Sequence, residues 1–262
     1  MTTGACDVNF VQIDPLVLLV ATATFFIGGV LKGAMGFGLP LLAIPMVTVF
    51  GSLPLALSIA VPPVVATNLW QLWKFRAHRR LPFLRWFLIL GAVGLFIGAF
   101  ILKNIVNAYL EVLLGSLVLM YLLVRGSKVH APLSGTLRDT LSPVIGGLAG
   151  VVHGTTGLSG LIGIPFFQAA GLARPAFIFS SNMMFTVFSL LHLTALSIFG
   201  LYQTSALVIG LLTVIPAFAG LWVGSILGER LNASTFPMMV KTVLAASAIV
   251  PIWNGITQLW GA

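Results

Sequence analysis

IGGVLKGAMGFGLPLLAIP, residues 27–45, and IGGLAGVVHGTTGLSGLIGIP, residues 145–165, are two versions of one pattern. Each opens with Ile-Gly-Gly and closes with Ile-Pro. Each carries a single basic or titratable residue at matching depth, Lys32 and His153, directly before a glycine, Gly33 and Gly154. Both stretches are apolar apart from these residues and a few hydroxyls, and both are broken by glycine. Paired broken segments in corresponding places of the two halves of an apolar chain point to the binding site of a transporter.

The surrounding composition makes the bilayer the solvent. Of 262 residues, 59% are hydrophobic and only 7% are charged, too little polar surface for a soluble domain of this size. Uninterrupted apolar runs occupy Leu53–Trp73, Phe83–Leu102, Ile105–Val124, Ala176–Phe199, Thr204–Leu227 and Thr235–Trp260. Each is close to the ~20 residues that a helix needs to cross the hydrocarbon core. The two broken regions divide into shorter limbs, Pro15–Leu31 with Phe37–Phe50 and Leu141–Val152 with Leu158–Ala170. At ~1.5 Å per residue such limbs reach about 18–26 Å, which favours re-entrant hairpins over full crossings.

Charge sets the orientation. The net charge of +8 arises largely from loops, with Lys74, Arg76, Arg79, Arg80 and Arg85 crowded into one of them. Basic residues concentrate on the cytoplasmic side, so this is a topology signal and not a nucleic-acid surface. Following the spans from that loop puts Arg125, Lys128, Arg138, Arg174 and Arg230 inside and both termini outside, in the periplasm of a bacterial inner-membrane protein. The N-terminus lacks the basic region of a signal peptide, and Cys6 stands alone.

The expected fold class is therefore an all-α polytopic membrane protein of two inverted-topology repeats, each a re-entrant helical hairpin followed by three transmembrane helices. Repeat 1 covers residues 1–124 (hairpin 15–50), a cytoplasmic linker covers 125–140, and repeat 2 covers 141–262 (hairpin 141–170). Asn68 in ATNLWQ and Asn182 in SSNMMF fall in register between the halves. Glycines spaced by four at Gly94–Gly98, Gly146–Gly154 and Gly220–Gly228 let helix backbones approach closely. Packing within the chain is their expected use, with a homodimer interface as the alternative. Pro62-Pro63 and Pro216 mark expected kinks.

The chemistry follows from the breaks. Backbone groups freed at membrane depth survive only inside protein or around a polar cavity. The second limbs start near Phe37 and Leu158, and their N-terminal N–H groups and positive dipole ends suit an anion. The expected substrate site comprises Lys32, Gly33, Gly36, Phe37, Gly38 and Asn68 from the first half. His153, Gly154, Thr155, Thr156, Gly157, Ser159 and Asn182 complete it from the second. His153 and His192 are the candidates for proton coupling, His192 being otherwise an interhelical hydrogen bonder. Arg174 reads as an anchor at the cytoplasmic mouth. With no intramembrane carboxylate expected, a sodium site would have to be built from carbonyls and hydroxyls. The sequence contains no metal cluster, catalytic triad or phosphate loop, so neither an enzyme nor a cofactor is expected. The partners are a small anionic substrate and the lipid bilayer.

GGVLKGAMGFGLPLLAIP and GGLAGVVHGTTGLSGLIGIP resemble the duplicated signature of the TauE/SafE family of membrane transporters, and the resemblance covers nearly the whole chain. In the second motif Thr155-Thr156 and Ser159 stand where the family pattern has more glycine. The resemblance implies export of sulfite or small organosulfonates such as sulfoacetate, with thiosulfate and other sulfur anions among relatives' substrates. An anion channel, or a carrier for another solute or a cation, is the alternative from the residues alone.

Overall fold

The computed structural model describes residues 15–49, 52–124, 133–202 and 204–230, with short helical stretches between 248 and 260. All regular structure among the described residues is helical. Helix α1 (Pro15–Met35) is followed by the short α2 (Leu39–Thr48), then by α3 (Leu53–Lys74), α4 (Pro82–Asn104) and α5 (Asn107–Val124). The pattern then recurs: α6 (Gly135–Thr156), the short α7 (Gly160–Ala169), α8 (Arg174–Ile198), and α9 (Thr204–Leu212) running into α10 (Val214–Arg230). Five stretches, Leu18–Met35, Leu53–Lys74, Pro82–Asn104, Arg174–Ile198 and Ala206–Gly228, are long and apolar enough to cross a membrane. The expected N-terminal features, residues 125–132 of the linker, and residues 235–247 of the expected last span lie outside the described residues.

Local chemistry explains where the helices start and stop. Ser52 Oγ accepts from the Leu55 N–H (3.4 Å), and Pro54 sits in the first turn of α3. Ser134 Oγ likewise accepts from the Leu137 N–H (3.3 Å), so α6 starts at Gly135 and not at the expected Leu141. α6 also runs on to Thr156, where Gly157 adopts the left-handed conformation (φ 75°) and its N–H closes on the His153 carbonyl. In the first half α1 ends at Met35 and Gly36 takes φ 86°. The α9–α10 interruption falls at Thr213, three residues before Pro216, which has no N–H to offer the Leu212 carbonyl. Pro62 and Pro63, by contrast, are contained within α3 without breaking it.

The two broken regions are therefore asymmetric hairpins. Their first limbs have 21 and 22 residues and their second limbs 10 each. At ~1.5 Å per residue, a full-length helix of about 31 Å turns back into a half-length one of about 15 Å. The first limbs are longer than expected, and the second limbs begin at Leu39 and Gly160, close to the expected Phe37 and Leu158. The Gly36 tip packs on Ile178, one turn into α8, and the Gly157 tip packs on Leu57, one turn into α3.

Helix pairing between the halves is reciprocal. On α1, Gly29 and Gly33 press on the Ala217 and Leu221 carbonyls of α10, while Gly220 and Gly224 of α10 press on the Phe26 and Val30 carbonyls of α1. On α4, Gly91 meets the Gly146 carbonyl at 3.0 Å from an ideal Cβ, and Gly146, Gly150 and Gly154 of α6 meet Phe87, Gly91 and Leu95. In both pairs residue numbers rise together, so α1 runs parallel to α10 and α6 parallel to α4. Lipid supplies no hydrophobic force between such helices; dispersion across a seam without side chains holds them. The opposite face of α4 is left apolar and exposed, with Trp86, Val93, Ile97 and Phe100 pointing outward. The central layer is α3 against α8, and Phe87 of α4 stacks on Phe188 of α8 and meets Phe167 of α7 at a tilt.

Candidate functional site

The first cluster forms where α1 passes α3. Lys32 is 1% exposed, and its Nζ donates to Oδ1 of Asn68, which is fully buried. Lys32 lies in the last turn of α1, where the helix dipole favours a cation. No carboxylate pairs with it among the described residues; the ion pair found there is Arg138–Asp139, at 2.8 Å. The Nδ2 of Asn68 is buried without a partner. Gly33 follows Lys32 but faces α10, because successive helical residues point about 100° apart.

Around the first tip, Asn182 Nδ2 donates to the Gly36 carbonyl (3.1 Å) and to the Ile178 carbonyl (2.7 Å), leaving its Oδ1 buried and unpaired. Asn182 therefore fastens the hairpin tip to α8, while its counterpart Asn68 holds Lys32. Phe37 packs edge-on against Phe177 (5.8 Å), and Gly38 is in the left-handed region (φ 119°) at the head of α2. No side chain caps α2 or α7; at the head of α2 this concerns the Leu39 and Leu41 N–H groups, Pro40 having none, whereas at α7 the Leu161 and Ile162 N–H groups close on the Leu158 and Ser159 carbonyls.

The second cluster lies on the other hairpin. His153 Nδ1 is 2.9 Å from Ser159 Oγ, a bond that closes the break between α6 and α7. The His153 ring meets His192 of α8 edge-on, 5.2 Å between centroids, and Phe188 at 5.5 Å. His192 is buried with Nε2 unpartnered. A cavity of about 20 Å³ lies against both rings and Ser189, room for about one water. Thr155 and Thr156 donate to the Val151 and Val152 carbonyls of their own helix, so their hydrogens are committed to α6. Gly154 is buried against Leu95 and Ala99 of α4, and Gly157 forms the tip.

The expected residues thus gather into a Lys32–Asn68 cluster, an Asn182–Gly36 clasp and a His153–Ser159–His192 cluster. The tips themselves meet through an apolar gap of about 10 Å³ lined by Phe37, Pro40, Leu158 and Ile164. One expectation is corrected: the expected span Ile105–Val124 contains a buried carboxylate. Glu111 on α5 is 3% exposed, accepts from Asn107 Nδ2 (2.5 Å) through one oxygen, and has Oε2 unpartnered. Its signal was the lone acid four residues after Asn107 inside an apolar run. Gln71, buried with Oε1 unpartnered, was also missed; it follows Asn68 by one helical turn.

Broken helices, glycine seams and a buried amine define an all-helical polytopic membrane protein with polar breaks inside an apolar bundle. The model of the family described as Sulfite exporter TauE/SafE matches residues 21–250, and the chain belongs to that family of membrane transporters. No curated protein and no solved structure matches the chain.

Proposed function

We propose that this chain is a secondary transporter that exports a small sulfur-containing anion, such as sulfite, sulfoacetate or a related organosulfonate, by alternating access. The observation that carries the reading is Lys32, buried beside Asn68 with no carboxylate partner among the described residues. An uncompensated charge at that depth is costly, and an anionic substrate supplies the compensation. An ammonium has three donors; with one on Asn68, the others and the free Asn68 Nδ2 face a ligand rich in oxygen acceptors. The uncapped start of α2 adds the Leu39 and Leu41 N–H groups, Pro40 having none, at the break that follows Lys32 along the chain.

The reciprocal pairing of α1 with α10 and of α6 with α4 supports two halves of inverted topology, with hairpins entering from opposite faces. In this reading the Lys74–Arg85 loop is cytoplasmic and the termini are periplasmic in a bacterial inner membrane. A membrane potential negative inside drives an anion outward by about 2.3 kcal/mol per charge per 100 mV, and protonation at the His153–His192 pair offers a second coupling.

The test is flux through purified protein in liposomes, with sulfite, thiosulfate, sulfoacetate, taurine and a carboxylate control, alongside Lys32→Ala. Saturable flux of a sulfur anion that disappears in Lys32→Ala is expected. Absence of flux from protein shown to be folded overturns the substrate class.

A further inference from the structure

Beyond Lys32, on the side of the Lys74–Arg85 loop, α1, α3, α8 and α10 part around a cavity of about 540 Å³. Gly33, the residue after Lys32, forms part of its inner wall. Lys74 at the end of α3 and Arg174 at the start of α8 stand at its mouth, both exposed, and Arg174 Nη2 donates to the Ala34 carbonyl (3.3 Å). Gln71 also lines it. Its side chain is more than nine-tenths buried, and Oε1 has no partner. With Oε1 enclosed, the amide NH2 is the end left to donate to an acceptor in the cavity. Among the described residues no carboxylate lines the cavity.

We propose that this cavity is a second anion subsite, distinct from Lys32–Asn68, which holds one oxyanion between Lys74 and Arg174 with the Gln71 amide as the neutral donor. The helix surfaces connect it to the buried cluster. Asn68, Gln71 and Lys74 follow one another at intervals of three on α3, so they are neighbours along its surface. Six residues separate the ends of that ladder, about 9 Å. On α8, Arg174, Ile178 and Asn182 recur at intervals of four, leading from the mouth to the clasp on Gly36. The head of α8 adds the positive end of its dipole. Next to the mouth, a second open groove lined by Lys74, Arg76, Arg79 and Arg80 extends the positive field outward and raises the local concentration of anions.

The same chemistry suits a small free oxyanion and the headgroup phosphate of an anionic lipid, since Trp70 and Trp222 at the wall are exposed on the apolar flank. The test reads binding without flux and is therefore independent of the transport reading. Iodide, an anionic quencher, and acrylamide, a neutral one, are titrated against tryptophan fluorescence at constant ionic strength. Comparison with the Trp70→Phe, Trp222→Phe double variant isolates the cavity's signal. In phosphatidylcholine liposomes iodide quenching is expected to saturate, to be displaced by sulfate, and to weaken about fivefold in Lys74→Gln and Arg174→Gln. Arg79→Gln, in the neighbouring groove, changes it less than about twofold. Lys74→Arg and Arg174→Lys retain saturation, which separates loss of charge from loss of fold.

Persistence of displacement by sulfate when phosphatidylglycerol is included assigns the subsite to free oxyanions. Suppression of iodide access by phosphatidylglycerol assigns the same subsite to the headgroup phosphate. Linear iodide quenching that parallels acrylamide and is unchanged in the Gln variants overturns the proposal. If binding persists while no sulfur anion is transported, the transport reading falls and the subsite stands.

Discussion

Gly150→Ala and Gly147→Ala differ by less than one helical turn on α6, yet the structure assigns them opposite outcomes. A Cβ on Gly150 overlaps the Gly91 carbonyl oxygen of α4 and lies 2.7 Å from its carbonyl carbon. Carbon atoms in contact sit about 3.5–4.0 Å apart, so α4 and α6 must separate by about 1 Å. A gap of that size forfeits up to about half the dispersion energy of each contact along the seam, and overpacking of this kind typically costs about 1–3 kcal/mol. A Cβ on Gly147 meets its nearest atom, the Leu90 carbonyl oxygen, at 3.8 Å, which is ordinary contact. Both substitutions gain the same helix propensity, so their difference isolates the seam. Thermal unfolding of the purified protein in detergent should place Gly150→Ala below Gly147→Ala. By soluble-domain scaling the gap is roughly 2–4 °C per kcal/mol. Equal melting temperatures for the two variants would refute the reading of these glycines as a backbone seam.

Lys32→Met should abolish anion flux while leaving the melting temperature unchanged or raised. An apolar residue of similar length removes the unpaired buried amine at little packing cost, which offsets the loss of the Asn68 hydrogen bond, and a fall in stability with flux retained would make Lys32 a structural residue. Gly157→Ala should destabilise measurably in the same melt. Its φ of 75° disfavours a side chain by about 1–2 kcal/mol, and the new Cβ would sit 2.6 Å from Ile44 Cδ1. Glu111→Gln preserves shape and removes an acid whose Oε2 is unpartnered, so stability should hold or rise. A loss above about 1 kcal/mol in the melt would show that the carboxylate has a partner.

The parts of the fold that were legible in the sequence are those set by composition and local chemistry. Apolar length gave four of the expected spans, Leu53–Trp73, Phe83–Leu102, Ala176–Phe199 and Thr204–Leu227, and the Gly-rich breaks gave both tips, because only residues tolerating φ near 80° turn a helix so sharply. Helix starts were less legible. Ser134 lies in a polar stretch that reads as linker, and only its bond to Leu137 reveals it as the cap of α6. The length of the first limbs was underestimated for the same reason, since a few added residues lengthen a limb by about 6 Å. In the site, Lys32 and His153 stood out as polar residues in apolar surroundings. Their partners did not: Asn68 meets Lys32, whereas the equivalent Asn182 meets the Gly36 backbone. Spacing places residues on a face without saying which neighbour they touch.

The signature pairs Lys32-Gly33 and His153-Gly154 combine two tasks that point in different directions. Gly33 is buried against Leu221 and Gly224 of α10, and Gly154 against Leu95 and Gly98 of α4. Lys32, one residue back, turns to α3, and His153 turns to α8. The glycine fixes the rotation and depth of its helix by allowing backbone-to-backbone contact. That fixed rotation aims the preceding side chain at the central layer. A larger residue at Gly33 or Gly154 would thus displace the polar cluster without touching it, through a shift of about 1 Å in the helix that carries it. The motif works as a unit of aim and reach, and its recurrence in both halves sets one polar cluster against α3 and the other against α8.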